Sequence, residues 1–314
     1  LWALGNEMDG AWQAGAKSAS EYGRVACEAA KLMRRVDPTI ELVACGSSGS
    51  WMSTFGSWEA EVLDATWGHV DFISLHAYYA NKTGDTRAYL RRLDEFASAI
   101  RAVAATIDHV AAKRSGATRG GRPGGRAVAI AVDEWNSWSG QQEPGKQQGK
   151  QQGKQQGDAS ASLASGGAGA AASGGEWGVG RRLLEEVYAM EDALLVGGML
   201  IVMLNHCDRV KLACLAQSVN AIAPIMTRPG GGAWRQATFW PLHYTSVYGR
   251  GVVLRPSIEA ASADEGMLHP LLVVACVLSE SRDELRVFAV NRELRDEVEA
   301  EVSVAGLGAT VPAG

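Results

Sequence analysis

No stretch of this chain reaches the roughly 18 consecutive apolar residues that a membrane-spanning helix requires. Cysteine is scarce and odd in number: the five are Cys27, Cys45, Cys207, Cys214 and Cys276. None forms a C-x-x-C pair, so neither a disulfide framework nor a structural zinc site is expected. Most lie in apolar runs, where a reduced cysteine behaves as a small hydrophobe. An excess of charge is missing too. Thirty basic and 35 acidic residues leave a net charge of −5, which gives no pull toward nucleic acid or an anionic membrane. No apolar run leads into G-x-G-x-x-G, and no G-x-x-x-x-G-K-[ST] occurs, so a nucleotide site has no support. No secretory leader is visible. The sequence opens on Leu1 inside an apolar run rather than on Met, so that silence leaves the compartment unknown. Among the aromatics Phe is rare: ten Trp stand against seven Tyr and five Phe. A Trp excess suits stacking on sugar faces, and it equally suits core packing.

What the chain does have is a repeated unit: a short apolar run, a polar cluster, then a helical pattern. "LWAL" leads to Gly5-Asn6-Glu7, "IELVAC" (40–45) to Gly46-Ser47-Ser48, and "VDFISL" (70–75) to His76-Ala77-Tyr78. "AVAIAV" (127–132) leads to Asp133-Glu134-Trp135-Asn136, and "GMLIVML" (198–204) to Asn205-His206. Short continuous apolar runs bounded by turn residues suit strands buried on both faces of a parallel sheet. The helices between them are predicted over 20–36, with Ser20 as N-cap and Asp37-Pro38 as the stop, over 86–114, and over 180–193. The second carries the stripe Leu90, Leu93, Phe96, Ile100, Val103, Ile107, Val110. The third is expected to turn Leu183, Leu184, Val187, Tyr188 and Met190 inward. Alternating strands and helices mean an α/β fold, whose active site lies at the carboxyl ends of the strands.

After about residue 250 the texture becomes strand-like without helices, in "MLHPLLVVACVLSE", "ELRVFAVNRE" and "EVEAEVSVAG", which reads as part of a β-sandwich or jelly-roll. The expected organisation is a barrel-type domain over 1–250 and a partial sandwich over 251–314. Residues 140–175 break the pattern with "KQQGKQQGKQQG" and Ala/Ser/Gly-rich text. That insert lacks the apolar residues to fold and reads as a tolerated expansion or a flexible lid. "TRGGRPGGR" (118–126) reads as a solvated basic loop.

Two carboxylates end buried strands, Glu7 and Glu134. Paired carboxylates are what glycoside hydrolysis needs: one protonates the leaving oxygen, the other attacks the anomeric carbon or activates water. A lone strand-end Glu more often caps a helix or pairs with Arg. Here the two come with Asn6, His76, Tyr78, Trp135, Asn136 and Trp138 nearby in the pattern. No His/carboxylate trio has metal-ligand spacing in the sequence, so neither a metal nor another cofactor is expected.

"GNEMDGAWQAG", "ELVACGSSG", "DFISLHAYY", "DEWNSW" and "LNHCDRVKLACLAQSVNAIAPIMT" followed by "YGRG" resemble the α-L-arabinofuranosidases of glycoside hydrolase family 51. The resemblance covers roughly 1–138 and 176–254 in order. It implies a (β/α)8 TIM barrel carrying a β-sandwich, with "LWALGNE" as barrel strand four. On that reading this chain holds strands four to eight and an incomplete sandwich. It implies Glu7 as acid/base and Glu134 as nucleophile of a retaining double displacement. Asn6 is implied as a 2-hydroxyl partner, His76 and Tyr78 as orienters of the nucleophile, and Trp138 and Gln217 as pocket residues. Trp12 is read either as lining the entrance or as packing. Mutual repulsion is expected to raise the pKa of Glu7. The implied substrate is a terminal α-L-arabinofuranosyl group on an arabinose-containing polysaccharide or oligosaccharide. The same constellation also serves other retaining glycosidases of the clan, such as β-xylosidases and endoglucanases, and an inert fragment with a sugar-binding or assembly role stays open beside them. Relatives include intracellular bacterial hexamers and secreted eukaryotic proteins, so the resemblance admits a homo-oligomer in either compartment.

Overall fold

The computed structural model describes residues 1–115, 127–138, 185–258 and 271–304. The insert at 140–175, the basic loop at 118–126, and Leu183, Leu184 and His269 lie outside the described residues.

Five parallel strands form one sheet in sequence order. They are β1 (Trp2–Ala3), β2 (Leu42–Ala44), β3 (Phe72–Tyr79), β4 (Ala129–Ser137) and β5 (Val210–Leu215). Each strand is followed by helix: α1 (Ala19–Val36), α2 (Ser57–Thr66), α3 (Thr86–Leu90) with α4 (Arg92–Ser115), α5 (Met190–Asn205) and α6 (Phe239–Tyr248). The sheet therefore grows by consecutive βα units, as the alternating pattern implies. A small hairpin, β6 (Ile225–Thr227) with β7 (Ala233–Arg235), precedes α6. The C-terminal part holds a three-stranded antiparallel sheet in the order β10-β9-β8, from β8 (Val252–Leu254), β9 (Leu272–Leu278) and β10 (Leu285–Asn291).

The core lies between the sheet and its helices. The stripe is buried throughout: Leu90 at the end of α3 and Leu93, Phe96 and Ile100 of α4 are at 0% exposure, with Val103, Ile107 and Val110 at 1–2%. These residues pack with Ile73, Leu75, Ile130 and Val132 of the strands and with Leu195, Val196 and Met199 of α5. Each such side chain contributes about 1.5–3 kcal/mol by leaving water. The C-terminal sheet is tied to the rest by Arg292, which is 2% exposed and gives both oxygens of Asp94 on α4 a 3.0 Å bond.

Four expectations need correction. Residues 198–204 are the second half of α5, not a strand. A short apolar run with no polar face has no period to read, so a buried helix and a buried strand look alike. The actual fifth strand, "VKLACL", was overlooked because Lys211 and the exposed Cys214 interrupt its apolar run. The helix expected at 180–193 begins only at Met190. Val187 and Met190 are exposed at 86% and 71%, while Tyr188 is buried. The N-cap of α1 is Ser18, not Ser20: Glu21 N donates to Ser18 Oγ at 3.3 Å and Ser18 N to Glu21 Oε2 at 3.0 Å, a capping box. Finally, 297–304 contains no strand, and the rest of "EVEAEVSVAG" lies outside the described residues.

Candidate active site

The site forms where β1, β3 and β4 end. Glu7 follows β1 in a turn with φ +47°, a left-handed conformation uncommon for a residue with a Cβ. The turn is held from several directions. Gly10 N donates to Glu7 O at 2.9 Å, Lys17 N to Met8 O at 2.9 Å and Met8 N to the Cys45 thiol at 3.4 Å. Asp9 accepts from Ser48 N at 3.1 and 3.2 Å and from Ser48 Oγ at 2.5 Å, joining this loop to the end of β2.

His76 and Tyr78 lie within β3, and Asp133 and Glu134 within β4, so these clusters continue their strands instead of following them. His76 is 4% exposed and stands among three carboxylates. Its Nδ1 is 3.2 Å from Glu7 Oε1 and 3.5 Å from Glu134 Oε2, and its Nε2 is 3.4 Å from Asp133 Oδ1. Tyr78 donates to Glu134 Oε1 at 2.6 Å, and Trp138 meets the Tyr78 ring edge-on at 5.2 Å. Trp12 Nε1 donates to Glu7 Oε2 at 2.7 Å, with Gln13 Nε2 at 3.4 Å from the same oxygen.

Burial alone would discharge His76, but its contacts with Asp133 and Glu7 and the charge of Glu134 outweigh that and push its pKa up to about 10. The imidazole is therefore a cation at neutral pH. Burial also pushes the Glu7 carboxyl up, yet the bonds from His76 and Trp12 win, and Glu7 sits below the ordinary carboxylate range. This reverses the expected rise. The sequence pairs Glu7 with Glu134, whereas the fold inserts a charged imidazole between them.

Of the residues singled out in the sequence, Glu7, Glu134, His76, Tyr78 and Trp138 come together. Asn6 is exposed next to Glu7. Gln217 is exposed in the loop after β5, where its Nε2 lies 3.5 Å from Asn220 O. Among the described residues no hydrogen bond joins it to the others. Trp12 is 55% exposed and stacks on Trp51, itself 69% exposed, at 5.8 Å, so it is not core. Trp51 and Gln13 were not foreseen, since neither carries a pattern beyond its position in a loop. An open cleft of about 1380 Å³ starts at Tyr78 and Trp138 and runs past Trp51 and Asn81 toward Arg91 and Glu95. His206 caps α5, its Nδ1 2.8 Å from Val202 O, and belongs to the helix end.

Glu7, His76 and Glu134 each present one ligand-capable atom within 4.8 Å of the others, a convergence that sequence spacing hides.

Comparison with known proteins shows which enzymes the chain is similar to. The α-L-arabinofuranosidase C-terminal domain matches residues 175–313. The chain is 46% identical over 307 residues to the intracellular exo-α-(1→5)-L-arabinofuranosidase 1 of Bacillus subtilis (strain 168), covering 97% of this chain and 54% of that protein. It is 47% identical over 296 residues to the intracellular exo-α-(1→5)-L-arabinofuranosidase of Halalkalibacterium halodurans, covering 93% and 52%. Among solved structures, a family 51 α-L-arabinofuranosidase from Bifidobacterium longum superposes with TM-score 0.75 at 31% identity, over 94% of this chain and 53% of the other. The α-L-arabinofuranosidase of Thermotoga maritima, solved with arabinose, gives 0.66 at 26% identity, over 92% and 51%. The chain thus spans about half the length of the curated relatives it matches. Its five βα units are part of a TIM barrel, and a C-terminal domain follows them.

Proposed function

The chain belongs to the α-L-arabinofuranosidases of glycoside hydrolase family 51, and from that premise we propose that its site releases terminal α-L-arabinofuranosyl groups by retaining double displacement. The observation that carries the reading is the carboxylate pair. Glu7 and Glu134, from different strands, present oxygens within 4.8 Å of one another across His76. Retaining glycosidases hold their carboxyl groups about 5–5.5 Å apart, whereas inverting ones leave about 6.5–9.5 Å for a water.

In this mechanism Glu134 attacks the anomeric carbon and forms a glycosyl ester. Tyr78, bonded to its Oε1, fixes the carboxylate and leaves the other oxygen to react. Glu7 and His76 act as one coupled acid, since His76 Nδ1 lies 3.2 Å from Glu7 Oε1. Esterification removes the charge of Glu134, one of the charges that keep His76 protonated. The coupled pair gives its proton to the leaving oxygen as the glycosidic bond breaks; water then attacks the anomeric carbon and passes a proton to Glu7, and the ester bond to Glu134 breaks. Asn6 and Gln217 contribute polar groups to the sugar, and Trp138 forms a wall of its pocket. The natural substrate on this reading is an arabinose-containing oligosaccharide or polysaccharide with exposed α-linked ends, as the relatives' names suggest. Residues 1–250 then form the barrel part, and the C-terminal sheet within 251–314 is a piece of a jelly-roll sandwich.

The test is turnover of aryl α-L-arabinofuranosides, with an aryl β-D-xyloside for comparison. Glu134→Ala abolishes turnover. Glu7→Ala spares substrates with good leaving groups and loses those with sugar leaving groups. Equal losses on both substrate types would refute the assignment of the two roles.

A further inference from the structure

Against β3, β4 carries one residue more than its neighbour can pair; against β5 a like surplus is offset by an opposite shift between Ile130 and Ala131. Toward β3 the register runs from Ser74↔Ala131 to His76↔Glu134; toward β5 it runs from Val132↔Ala213 to Trp135↔Leu215. On both sides three steps along β4 answer two on the neighbour, so the surplus lies within 132–134. In a regular strand consecutive side chains face opposite sides of the sheet. A bulge suspends that alternation and re-aims a side chain. Here it lets Asp133 and Glu134 address one imidazole, one at each nitrogen, at 3.4 and 3.5 Å.

The Oδ1 atom of Asp133 is buried and makes no hydrogen bond of good geometry. The other titratable groups whose charge couples to it are Tyr22 of α1, Cys45 at the end of β2 and Cys214 of β5. Burial holds all three neutral: it raises the Tyr22 hydroxyl and the Cys214 thiol and pushes the Cys45 thiol up to about 12. None offers a positive charge. Among the described residues the cation in contact with Asp133 is His76. The imidazole in turn faces Glu7 from the loop after β1 and Glu134 from β4, while Tyr78 on its own strand is engaged with Glu134.

We infer that Asp133 is a positioning residue of this site: through its contact with Nε2 it fixes the His76 ring so that Nδ1 faces the gap between Glu7 and Glu134. The inference rests on reading that pair as the reacting carboxylates. Its effect passes through the imidazole. Without its charge the ring loses the anchor opposite the carboxylate pair, and the shared proton is held less firmly.

The decisive measurement does not need turnover. The whole chain is labelled with 15N-histidine, the His76 signals are assigned by their absence in His76→Gln, and wild type and Asp133→Asn are titrated from pH 6 to 9. In the wild type both His76 nitrogens keep imidazolium shifts through pH 8. In Asp133→Asn the midpoint falls by about one pH unit or more, as loss of an opposite charge within about 4–6 Å demands. A neutral His76 tautomer at pH 7 in the wild type overturns the inference even if Asp133→Asn fails to fold. An unmoved midpoint in folded Asp133→Asn overturns it as well. With aryl arabinofuranoside as substrate, Asp133→Asn lowers kcat about tenfold or more with KM near wild type, and moves the alkaline limb of kcat/KM to lower pH. A shifted His76 midpoint in a chain with no turnover would count against the glycosidase reading and leave the role of Asp133 standing.

Discussion

The charge on His76 makes a prediction about stability that is independent of catalysis. Its folded pKa is raised to about 10 from an ordinary 6.5. A raised pKa means the native state holds the proton more tightly than the unfolded chain does. The resulting stabilisation is complete below pH 6.5 and is lost as pH climbs through the folded value. At 1.36 kcal/mol per unit the whole effect is about 5 kcal/mol. Between pH 7.0 and 8.5 the native state keeps its proton while the unfolded chain has mostly released it. Stability should therefore fall by about 2 kcal/mol over that interval. His69, whose pKa burial lowers, works in the opposite sense and mainly below this window. Glu7, whose pKa is lowered, contributes above the carboxylate range and is constant here. Cys45, Cys214 and Cys276 have raised folded values against an ordinary 9.0, so their loss sets in mainly above that pH. The buried tyrosines follow at still higher pH. Urea unfolding at the two pH values, followed by tryptophan fluorescence, reads the difference as a shift of midpoint at constant slope. His76→Gln should show almost no change between them. A wild-type stability that is flat or rises with pH, or an equal fall in His76→Gln, would refute the charged imidazole.

Two further predictions concern the frame that holds the site. Arg292→Leu removes the cation that neutralises Asp94 beneath the C-terminal sheet; since Asp94 is 31% exposed, the loss should be about 2–3 kcal/mol, below the range for a fully buried pair, and a urea midpoint within error of wild type would show the bridge to be idle. Ser18→Ala should cost about 1 kcal/mol through the lost capping box of α1, while Ser20→Ala stays within about 0.5 kcal/mol. The reverse order in thermal melts would return the cap to Ser20.

Much of this fold is visible in the sequence because it rests on strong periodic signals. The stripe from Leu90 to Val110 repeats cleanly, and every member is buried. The first four strands begin as continuous apolar runs. The errors gather where the period vanishes. α5 is apolar nearly all round, since it is covered by α4 on one side and by β9 and β10 on another, so nothing in "GGMLIVMLN" distinguishes helix from strand. At the site, residue types were legible and relations were not. Two glutamates 127 positions apart (134 − 7) announce a pair. That a histidine would stand between them, and that Asp133 would share it, depends on a bulge with no sequence signature. The expected pKa of Glu7 had the wrong sign because His76 and Trp12 both bond its carboxylate.

The places where local rules fail are also the places where the chemistry is assembled. β2 lies between β1 and β3 in the sheet, so Glu7 can reach His76 only by passing in front of the end of β2. Two features permit this. The left-handed turn at Glu7 costs on the order of 1–3 kcal/mol by itself, and it is maintained by the bonds from Gly10, Lys17 and Ser48 and by the Cys45 thiol. At β2 the chain presents only Gly46, Ser47 and Ser48, and Gly46 N donates to Ser74 Oγ at 2.8 Å. A Cβ at residue 46 would sit 2.0 Å from Ser74 O, so any side chain there would drive the ends of β2 and β3 apart. Cys45 and Ser48, which grip the Glu7 loop, would move away from the strand that carries His76. The run of small residues after β2 thus helps set the spacing between the Glu7 loop and the strand that carries His76.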